Sequence, residues 1–471
     1  MVRLNADADS LLRAVLIVIA ACFWLNGCGG DVSQPPPPAS FKIQMASVDN
    51  AGTRGDSYST TPSISATGRY VAFISAAGNF ASASQRPQVF VRDTCIGASD
   101  CTRKTTLVSV MSDGSIAGSS YNGALSSDGR FVAFTSAISN NTARVFLRDT
   151  CAGAPNCRPS TQLVSVANDG TPADGNNYNL AVSQGGRYVA FQTDAPSLGV
   201  PSNTTQIVVR DTCLGAQHCT PSIQMVSVAP NGAPGNNSSG FFPISITPDG
   251  RFVAFASGAS NLVPGQTGNT GAVFVRDTCA GTSFCTPSTF RPTVANDGSE
   301  ANSNIFEASI SNNGRFVVFS SDATNLVSSQ PAGGALFVRD TCIQATSCRP
   351  STTLIGTTSV NSPVIAVPAI SGDGRFVTYM GTDVAYPPQQ VFMLDTCRGI
   401  VGCTPSTRLV SVAADGTPNN GSLSNGFFEP IPLAISSDGR AVAFTTWANN
   451  LVPGTQDNLD YQVYVAPNPF R

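Results

Sequence analysis

The sequence predicts an all-β fold, a seven-bladed β-propeller of four-stranded antiparallel blades. Three observations lead to this prediction. A pattern of a turn followed by an apolar strand recurs seven times, about every 60 residues. Two further strand-like runs follow most copies, and long helix-period stretches of Leu, Glu, Lys and Ala are missing. One copy of the last run stands alone before the first repeat, so we expect it to complete the seventh blade and close the ring.

The hairpin between the first and second strands is the most regular part of the repeat. SSDGRFVAF, residues 126–134, is a typical copy, and related copies begin at residues 65, 183, 247, 311, 371 and 436. Asp-Gly or Gly-Gly between two alternating runs favours a tight hairpin, because positive φ at the central residues matches the twist of the strands. The acidic residue of the turn, such as Asp249, is therefore interpreted as a turn former.

The third strand, VFVRDTC in its typical form, leads into a C-x5-C connector, and a fourth strand typified by TQLVSV, residues 161–166, follows. We interpret the aspartate before Thr-Cys, such as Asp277, as a hydrogen-bond acceptor at the end of the hairpin. The displaced copy of the fourth strand is FKIQMASV, residues 41–48.

Twelve of the 14 cysteines fall into six C-x5-C pairs. The spacing differs from the C-x2-4-C of zinc sites and from the C-x-x-C of redox motifs. We therefore expect a local disulfide in each connector, with metal or redox chemistry and free thiols as the alternatives. The pairs are Cys95–Cys101, Cys151–Cys157, Cys213–Cys219, Cys279–Cys285, Cys342–Cys348 and Cys397–Cys403.

The N-terminal segment, residues 1–27, is predicted to be a signal peptide. Its apolar run, residues 14–25, is shorter than a membrane span. LNGC, residues 25–28, resembles the lipobox of bacterial lipoproteins, which implies that Cys28 is the lipidated first residue of the mature chain. A secretory signal with Cys28 incidental, or a short membrane anchor, is the alternative. Residues 28–40 include four consecutive prolines and are interpreted as a tether, followed by the propeller at 41–471.

Composition excludes two classes of function. Charged residues make up 12% of the chain and the formal net charge is −3, so we expect no binding to nucleic acid. The single histidine, His218, lies in a connector beside Cys219, so the Ser-His-Asp and Cys-His arrangements of nucleophilic catalysis are not expected.

The S-x-D-G-R-x-V-A-F pattern, with NLVPG at residues 261–265 and 450–454, resembles the WD40-like (PD40) repeats of TolB-like bacterial lipoproteins. The resemblance covers residues 41–471. It implies a lipid-anchored propeller of the bacterial cell envelope, by default at the outer membrane and facing the periplasm or the cell surface. It implies no particular ligand, since propellers carry unrelated activities. No segment corresponds to the α/β domain that precedes the propeller in TolB itself.

Aromatic residues recur where each first strand begins, at positions that we expect to surround one mouth of the propeller channel. An aromatic mouth suits a peptide or a glycan, and packing between adjacent blades is the alternative. The candidate ligand-binding aromatics are Tyr58, Tyr121, Tyr178, Phe242, Phe306 and Phe428.

Acidic residues near the same mouth are few. Glu307 and Glu429 are the best candidates, with Asp56 behind them, and two such carboxylates from different blades suit glycosidase chemistry. Asp457 and Asp460 form a weak candidate Ca²⁺ site, and no other cofactor is expected.

These features together predict a non-enzymatic binding or protein-interaction platform. Its expected partner is an envelope protein, a peptide or a glycan. A carbohydrate-active enzyme that uses carboxylates at the channel mouth, and a purely structural envelope protein, are the alternatives.

Overall fold

A computed structural model describes residues 42–80, 86–137, 142–266, 271–329, 334–357, 367–383, 386–423, 432–454 and 460–471. These residues form β-strands and connecting loops, with two short 3-10 turns and no α-helix among them. Several predictions lie outside the described residues: the signal peptide at 1–27, the tether at 28–40 with Cys28, and Phe428, Glu429 and Asp457.

Twenty-eight strands form seven four-stranded antiparallel blades, which confirms the predicted fold. Blade one contains β2 (Ser59–Ile64), β3 (Tyr70–Ser75), β4 (Gln88–Asp93) and β5 (Lys104–Leu107). Blade two contains β6 (Ser120–Leu125), β7 (Phe131–Ala137), β8 (Ala143–Asp149) and β9 (Ser160–Leu163). Blade three contains β10 (Asn177–Val182), β11 (Tyr188–Thr193), β12 (Gln206–Asp211) and β13 (Ser222–Met225). Blade four contains β14 (Ser245–Ile246), β15 (Phe252–Ser257), β16 (Ala272–Asp277) and β17 (Ser288–Phe290).

Blade five contains β18 (Ile305–Ile310), β19 (Phe316–Ser321), β20 (Ala335–Asp340) and β21 (Ser351–Thr357). Blade six contains β22 (Ala369–Ile370), β23 (Phe376–Asp383), β24 (Tyr386–Asp395) and β25 (Ser406–Leu409). Blade seven contains β26 (Ala434–Ile435), β27 (Ala441–Thr446), β28 (Gln462–Pro467) and, from the other end of the chain, β1 (Gln44–Met45). The first strands of adjacent blades touch one another around the ring and form its innermost layer.

The N-terminal strand closes the ring, as the displaced repeat predicted. Gln44 pairs with Val465 in an antiparallel ladder. Beyond the strand, Ser47 Oγ donates a hydrogen bond of 2.6 Å to Gln462 Oε1 and accepts one of 3.0 Å from the Val463 amide. Blade seven is therefore held together by both ends of the chain.

The core lies between the blades, because each blade is apolar on both faces. In blade four, Val253 and Phe255 pack with Tyr188 of blade three in one buried cluster, whereas Phe252 and Ala254 pack with Ile310 of blade five in another. A strand buried on both faces reads as a continuous apolar run, and this accounts for sequences such as FVAFAS in β15.

The two ends of the propeller carry different connections between strands. In blade four, Phe252 pairs with Asp277, which pairs with Ser288, so the first hairpin and the C-x5-C connector lie at the same end. We call this end the turn face. The other end, the loop face, carries the start of each first strand, the loop between the second and third strands, and the connection to the next blade.

Most fourth strands end earlier than the TQLVSV pattern led us to expect, β21 being the exception. In blade two, β9 ends at Leu163, and the Ser165 hydroxyl then accepts a hydrogen bond of 3.1 Å from the Val145 amide of the third strand. In blade three, Ser227 Oγ likewise accepts from the Ile207 amide at 2.9 Å and also donates to Gln206 Oε1 at 2.7 Å. The serine hydroxyl thus accepts a hydrogen bond from an amide of the third strand at the point where the backbone of the fourth strand turns away.

The S-x-D-G-R turn and the R-D-T-C segment form one hydrogen-bonded unit at the turn face. In blade four, Thr247 Oγ1 donates to Asp249 Oδ1 at 2.5 Å. Arg251 pairs with Asp277 at 2.7 Å, and the Cys279 amide donates to the same carboxylate at 2.9 Å. These contacts confirm that Asp249 forms the turn and that Asp277 is a hydrogen-bond acceptor at the hairpin end.

Candidate functional site

The first strands of four blades begin at the loop face with a β-bulge. A bulge leaves a residue unpaired and re-aims its side chain, so it interrupts the simple alternation of the strand. Two bulged residues, Thr61 and Asn179, have positive φ values of 51° and 21°. The register shifts lie between Thr60 and Ser63, Ser120 and Asn122, Tyr178 and Leu180, and Ile305 and Ala308.

Four large aromatic side chains are exposed at this end of the first strands, one from each of blades one to four. They are 38%, 52%, 39% and 56% exposed, respectively, for Tyr58, Tyr121, Tyr178 and Phe241. We call these four residues the aromatic arc. Exposed aromatic groups clustered on one surface are typical of interaction sites.

The tyrosines of the arc interact with their surroundings. Partial burial raises the pKa of Tyr58, and the Tyr121 hydroxyl of the next blade raises it further, so the two phenols are neighbours across the blade boundary. Partial burial and then the Asp194 carboxylate raise the pKa of Tyr178, and a hydrogen bond with the Asn176 side chain opposes them.

In blade four the exposed aromatic residue is Phe241, which the sequence reasoning missed. Phe242 is half-buried and packs against the cluster that contains Ile305 and Phe319 of blade five. The chain takes this course because Gly240 has a φ of 95°, which brings the next residue outward. The adjacent pair of phenylalanines was the available signal, since only one of two neighbours can pack inward. The side chain of Phe306 lies outside the described part of the structure.

Tyr461 of blade seven also lies beside the arc, and the sequence reasoning did not single it out. Its carbonyl oxygen accepts a hydrogen bond of 2.7 Å from the Ser59 amide, next to Tyr58. Its position before the third strand, and not the first, separated it from the repeating aromatic pattern.

Glu307 is a buried carboxyl group at the bulge of β18. Glu307 is 3% exposed, and neither of its carboxyl oxygens has a hydrogen-bond partner. Burial raises the pKa of Glu307 to about 8, so the group is neutral at pH 7. An unpartnered polar group on an innermost strand is costly to the fold, which makes it a candidate for a functional role.

The other predicted acids have structural contacts. Asp56 is exposed and its Oδ1 accepts a hydrogen bond of 2.7 Å from the Gly78 amide, within the loop face of blade one. The carbonyl oxygen of Asp460 accepts a hydrogen bond of 2.8 Å from Arg54. The Ca²⁺ site proposed for Asp457 and Asp460 stays a prediction, because only Asp460 is described.

The channel is narrowed at the turn face by hydrogen bonds between hairpin turns. The Ala66 amide donates to Ser127 of the next blade at 2.7 Å, and the Asp438 amide donates to Ala66 at 3.0 Å. Asn312 of blade five donates to the Ser437 hydroxyl of blade seven at 2.5 Å, across blade six.

The six C-x5-C connectors are disulfides, as predicted. Each brings two sulfur atoms close to an aspartate, a grouping that resembles a metal-ligand set. In blade two, for example, both Cys151 and Cys157 are bound in the disulfide, and Asp149 pairs with Arg130 at 2.6 Å. The sulfur atoms are bonded to each other and the carboxylate is paired with an arginine, so we assign the connectors a scaffold role.

The fold and these contacts define a disulfide-braced seven-bladed β-propeller with an aromatic loop face. Solved structures similar to this chain include TolB from Acinetobacter baumannii, at 15% identity over 70% of this chain and 62% of that chain, with a TM-score of 0.38. Oligogalacturonate lyase from Vibrio parahaemolyticus is similar at 9% identity over 91% of this chain and 98% of that chain, with a TM-score of 0.51. At 9% identity, the likeness to the lyase establishes the propeller fold and nothing finer.

No family model and no curated protein matches the chain. Within the described residues, no helix has the length and apolar character needed to cross a bilayer.

Proposed function

We propose that the protein is a lipid-anchored binding platform of the bacterial cell envelope, without catalytic activity, whose ligand docks on the aromatic arc. The observation that carries this proposal is the exposure of Tyr58, Tyr121, Tyr178 and Phe241 on four successive blades. Aromatic side chains offer large contact areas and have few rotatable bonds, so immobilising them on binding costs little entropy.

The ligand class that suits this surface is a peptide or a glycan. Ring faces pack against apolar side chains of a peptide or against the C–H faces of a sugar, and the phenol groups add hydrogen bonds. The strands beneath the arc are short, paired and closed into a ring, which supports a preorganised site.

Export to an oxidising compartment is supported by the six disulfides, since cytosolic proteins rarely keep such bonds. The lipobox-like LNGC sequence, residues 25–28, supports attachment through Cys28. Both observations agree with the envelope location that the repeat pattern implies.

The binding test compares the native chain with a Tyr121→Ala/Tyr178→Ala double variant. Ile116→Ala is the matched control, because Ile116 is 39% exposed and lies outside the arc. The probes are immobilised peptides of random sequence and polysaccharides purified from bacterial envelopes. We expect the double variant to lose at least tenfold in affinity for one probe class while the control binds like the native chain. Equal binding by all three proteins would contradict the proposal.

The anchor has its own test. Mass spectrometry of the N-terminal peptide of protein isolated from bacterial membranes is expected to find acyl chains on Cys28. A Cys28→Ala variant is expected to appear in the soluble fraction. A native N-terminal peptide that carries no acyl group would overturn the lipid anchor and leave the binding test intact.

A carbohydrate-active enzyme is the second candidate, favoured by one observation. Burial raises the pKa of Glu307 to about 8, the direction in which the general acid of a glycosidase is shifted, while both of its carboxyl oxygens are buried. Its test is hydrolysis or elimination of envelope and plant polysaccharides by the native chain and by Glu307→Gln. Turnover that this substitution abolishes would favour the enzyme, whereas binding without turnover favours the platform.

A further inference from the structure

The turn face carries the two most exposed large apolar side chains among the described residues. Phe284 and Val401 are fully exposed, and Ile400 beside Val401 is 48% exposed. Phe284 lies in the connector of blade four and Val401 in the connector of blade six, each inside a disulfide loop. The aromatic arc lies at the opposite end, so these residues are not part of the site proposed above.

The conformation of Phe284 is unfavourable in itself. It has a φ of 60°, in the left-handed region that bulky residues avoid. Asn156 and His218 occupy the same place in the connectors of blades two and three with similar φ values, and both are residue types that tolerate it. A phenylalanine held there in full contact with water has no packing gain within the propeller to offset the strain.

Exposed cations also lie on the turn face, on or beside the connectors of blades one, two and five. Asp100 is the one carboxylate within the six connector loops, whereas four exposed basic residues lie on the connectors and beside them. Asp277 pairs with Arg251 at 2.7 Å, whereas the hairpin aspartates Asp128, Asp249 and Asp373 are exposed and accept hydrogen bonds from their own turns. Exposed apolar side chains that share a face with basic residues can bind an anionic lipid surface. The exposed basic residues are Arg103, Lys104, Arg158 and Arg349.

The N-terminal strand starts at the turn face. Met45 pairs with Tyr464, Gln44 pairs with Val465, and further along β28 Pro467 pairs with Ala441 beside the first hairpin of blade seven. Lys42 and Ile43, the described residues before this strand, therefore lie towards the turn face. Cys28 precedes Lys42 by 14 residues, which limits its reach to about 50 Å even when fully extended.

We propose that the turn face lies against an anionic lipid bilayer, with Phe284 and Val401 inserted among the headgroups and the exposed cations of the other connectors on lipid phosphates. This orientation rests on the lipid attachment proposed for Cys28. Burial of each apolar side chain contributes a modest free energy, enough to orient a protein that is already tethered and too little to hold a free one. The aromatic arc then faces away from the membrane, open to a ligand in the aqueous compartment.

The test measures the depth of an introduced tryptophan in vesicles, against the native Trp447. The chain from Cys28 onward is linked through that thiol to a maleimide lipid, because the remaining cysteines are in disulfides. The vesicles contain phosphatidylglycerol and phosphatidylcholine with brominated acyl chains. Phe284→Trp and Val401→Trp report on the turn face, and the native Trp447, which follows β27 at the loop face, is the internal control.

We expect brominated lipid to quench the fluorescence of the Phe284→Trp and Val401→Trp chains by about twofold relative to unbrominated vesicles, and to leave the native chain unchanged. Replacing phosphatidylglycerol by phosphatidylcholine, or introducing Arg103→Glu with Lys104→Glu, should reduce the quenching. Unquenched tryptophan at both tips, or quenching of Trp447, would overturn the proposal. Because attachment is chemical here, an unmodified Cys28 in cells would refute the natural anchor without altering this measurement.

Discussion

One arginine in each of the six disulfide-bearing repeats joins two signatures that lie some 20 residues apart in sequence. In blade six, Arg375 pairs with Asp395 at 2.6 Å, and its guanidinium lies 4.7 Å from the centroid of the Phe376 ring. The Cys397 amide donates to the same carboxylate at 2.8 Å. The recurrence of S-x-D-G-R with R-D-T-C is thus explained by one charge-assisted contact, repeated around the ring.

Asp395→Asn is expected to destabilise the protein by about 2 kcal/mol at pH 7, because it replaces a charge-assisted hydrogen bond. The hydrogen bond with Arg375 holds the pKa of Asp395 below its ordinary value of 3.8. The stabilisation is therefore present above that value and is lost as the pH falls through the lower folded-state pKa. Denaturant titrations should give a smaller loss of stability between pH 5 and pH 3 in the variant than in the native chain. Asp100→Asn, at an exposed connector residue, is the control and should change stability by less than about 0.5 kcal/mol.

The effect of Glu307 on stability depends on pH with the opposite sign to that of Asp395. Its folded-state pKa of about 8 lies above the ordinary value of 4.5, so the folded protein keeps a proton that the unfolded chain releases. Stability should fall as the pH rises from about 4.5 to about 8, by up to the order of 5 kcal/mol, and then level off. Glu307→Gln should remove this dependence and be the more stable protein at pH 8. Identical slopes for the two proteins would show that Glu307 ionises freely in the folded state.

At the scale of the element, each disulfide closes a short connector between strands three and four. A ring this small is expected to stabilise the protein by about 2 kcal/mol through the unfolded chain. Cys213→Ser with Cys219→Ser should lower the free energy of unfolding by that amount, measured by urea titration, with an unchanged dependence on denaturant. Affinity at the aromatic arc should be unaffected, since the arc lies at the other end of the blade. A loss of ligand affinity would indicate that the connectors form part of the site.

Strand order and ring closure were predictable because both follow from local patterns and from one displaced repeat. The end of the fourth strand was not, because the Ser165 hydroxyl replaces a backbone partner, and sequence periodicity does not register such an exchange. The position of the candidate site followed from aromatic spacing. The choice of Phe241 over Phe242 depends on the positive φ of Gly240, and the burial of Glu307 depends on packing from neighbouring blades.

At the scale of the whole molecule, the two ends of the propeller have different chemistry. The turn face is braced by disulfides, ion pairs and hydrogen bonds between hairpins, and it carries the exposed apolar tips Phe284 and Val401. The loop face exposes the aromatic arc at the start of the innermost strands. A ligand on the arc and a lipid surface at the turn face therefore do not compete for the same residues.

Closure of the ring is the property that depends on the whole chain, and a matched pair of serines isolates it. Ser47 and Gln462 make the same contact in blade seven as Ser227 and Gln206 make in blade three, at 2.6 Å and 2.7 Å. The first pair is separated by 415 residues and the second by 21. Ser47→Ala and Ser227→Ala should each cost about 1 to 2 kcal/mol, because each leaves a buried amide and a glutamine without their partner.

Local opening should separate the two variants. Blade three is joined covalently to its neighbours on both sides, whereas β1 is held in blade seven by non-covalent contacts alone. Native-state hydrogen exchange of Ser47→Ala should therefore show the amides of Val463 and Val465 exchanging through a local opening that costs less than global unfolding. In Ser227→Ala the amides of Ile207 and Val209 should still exchange only when the whole protein unfolds. If both variants open locally to the same extent, the pairing of the two chain ends in blade seven is no weaker than the strand pairing within blade three.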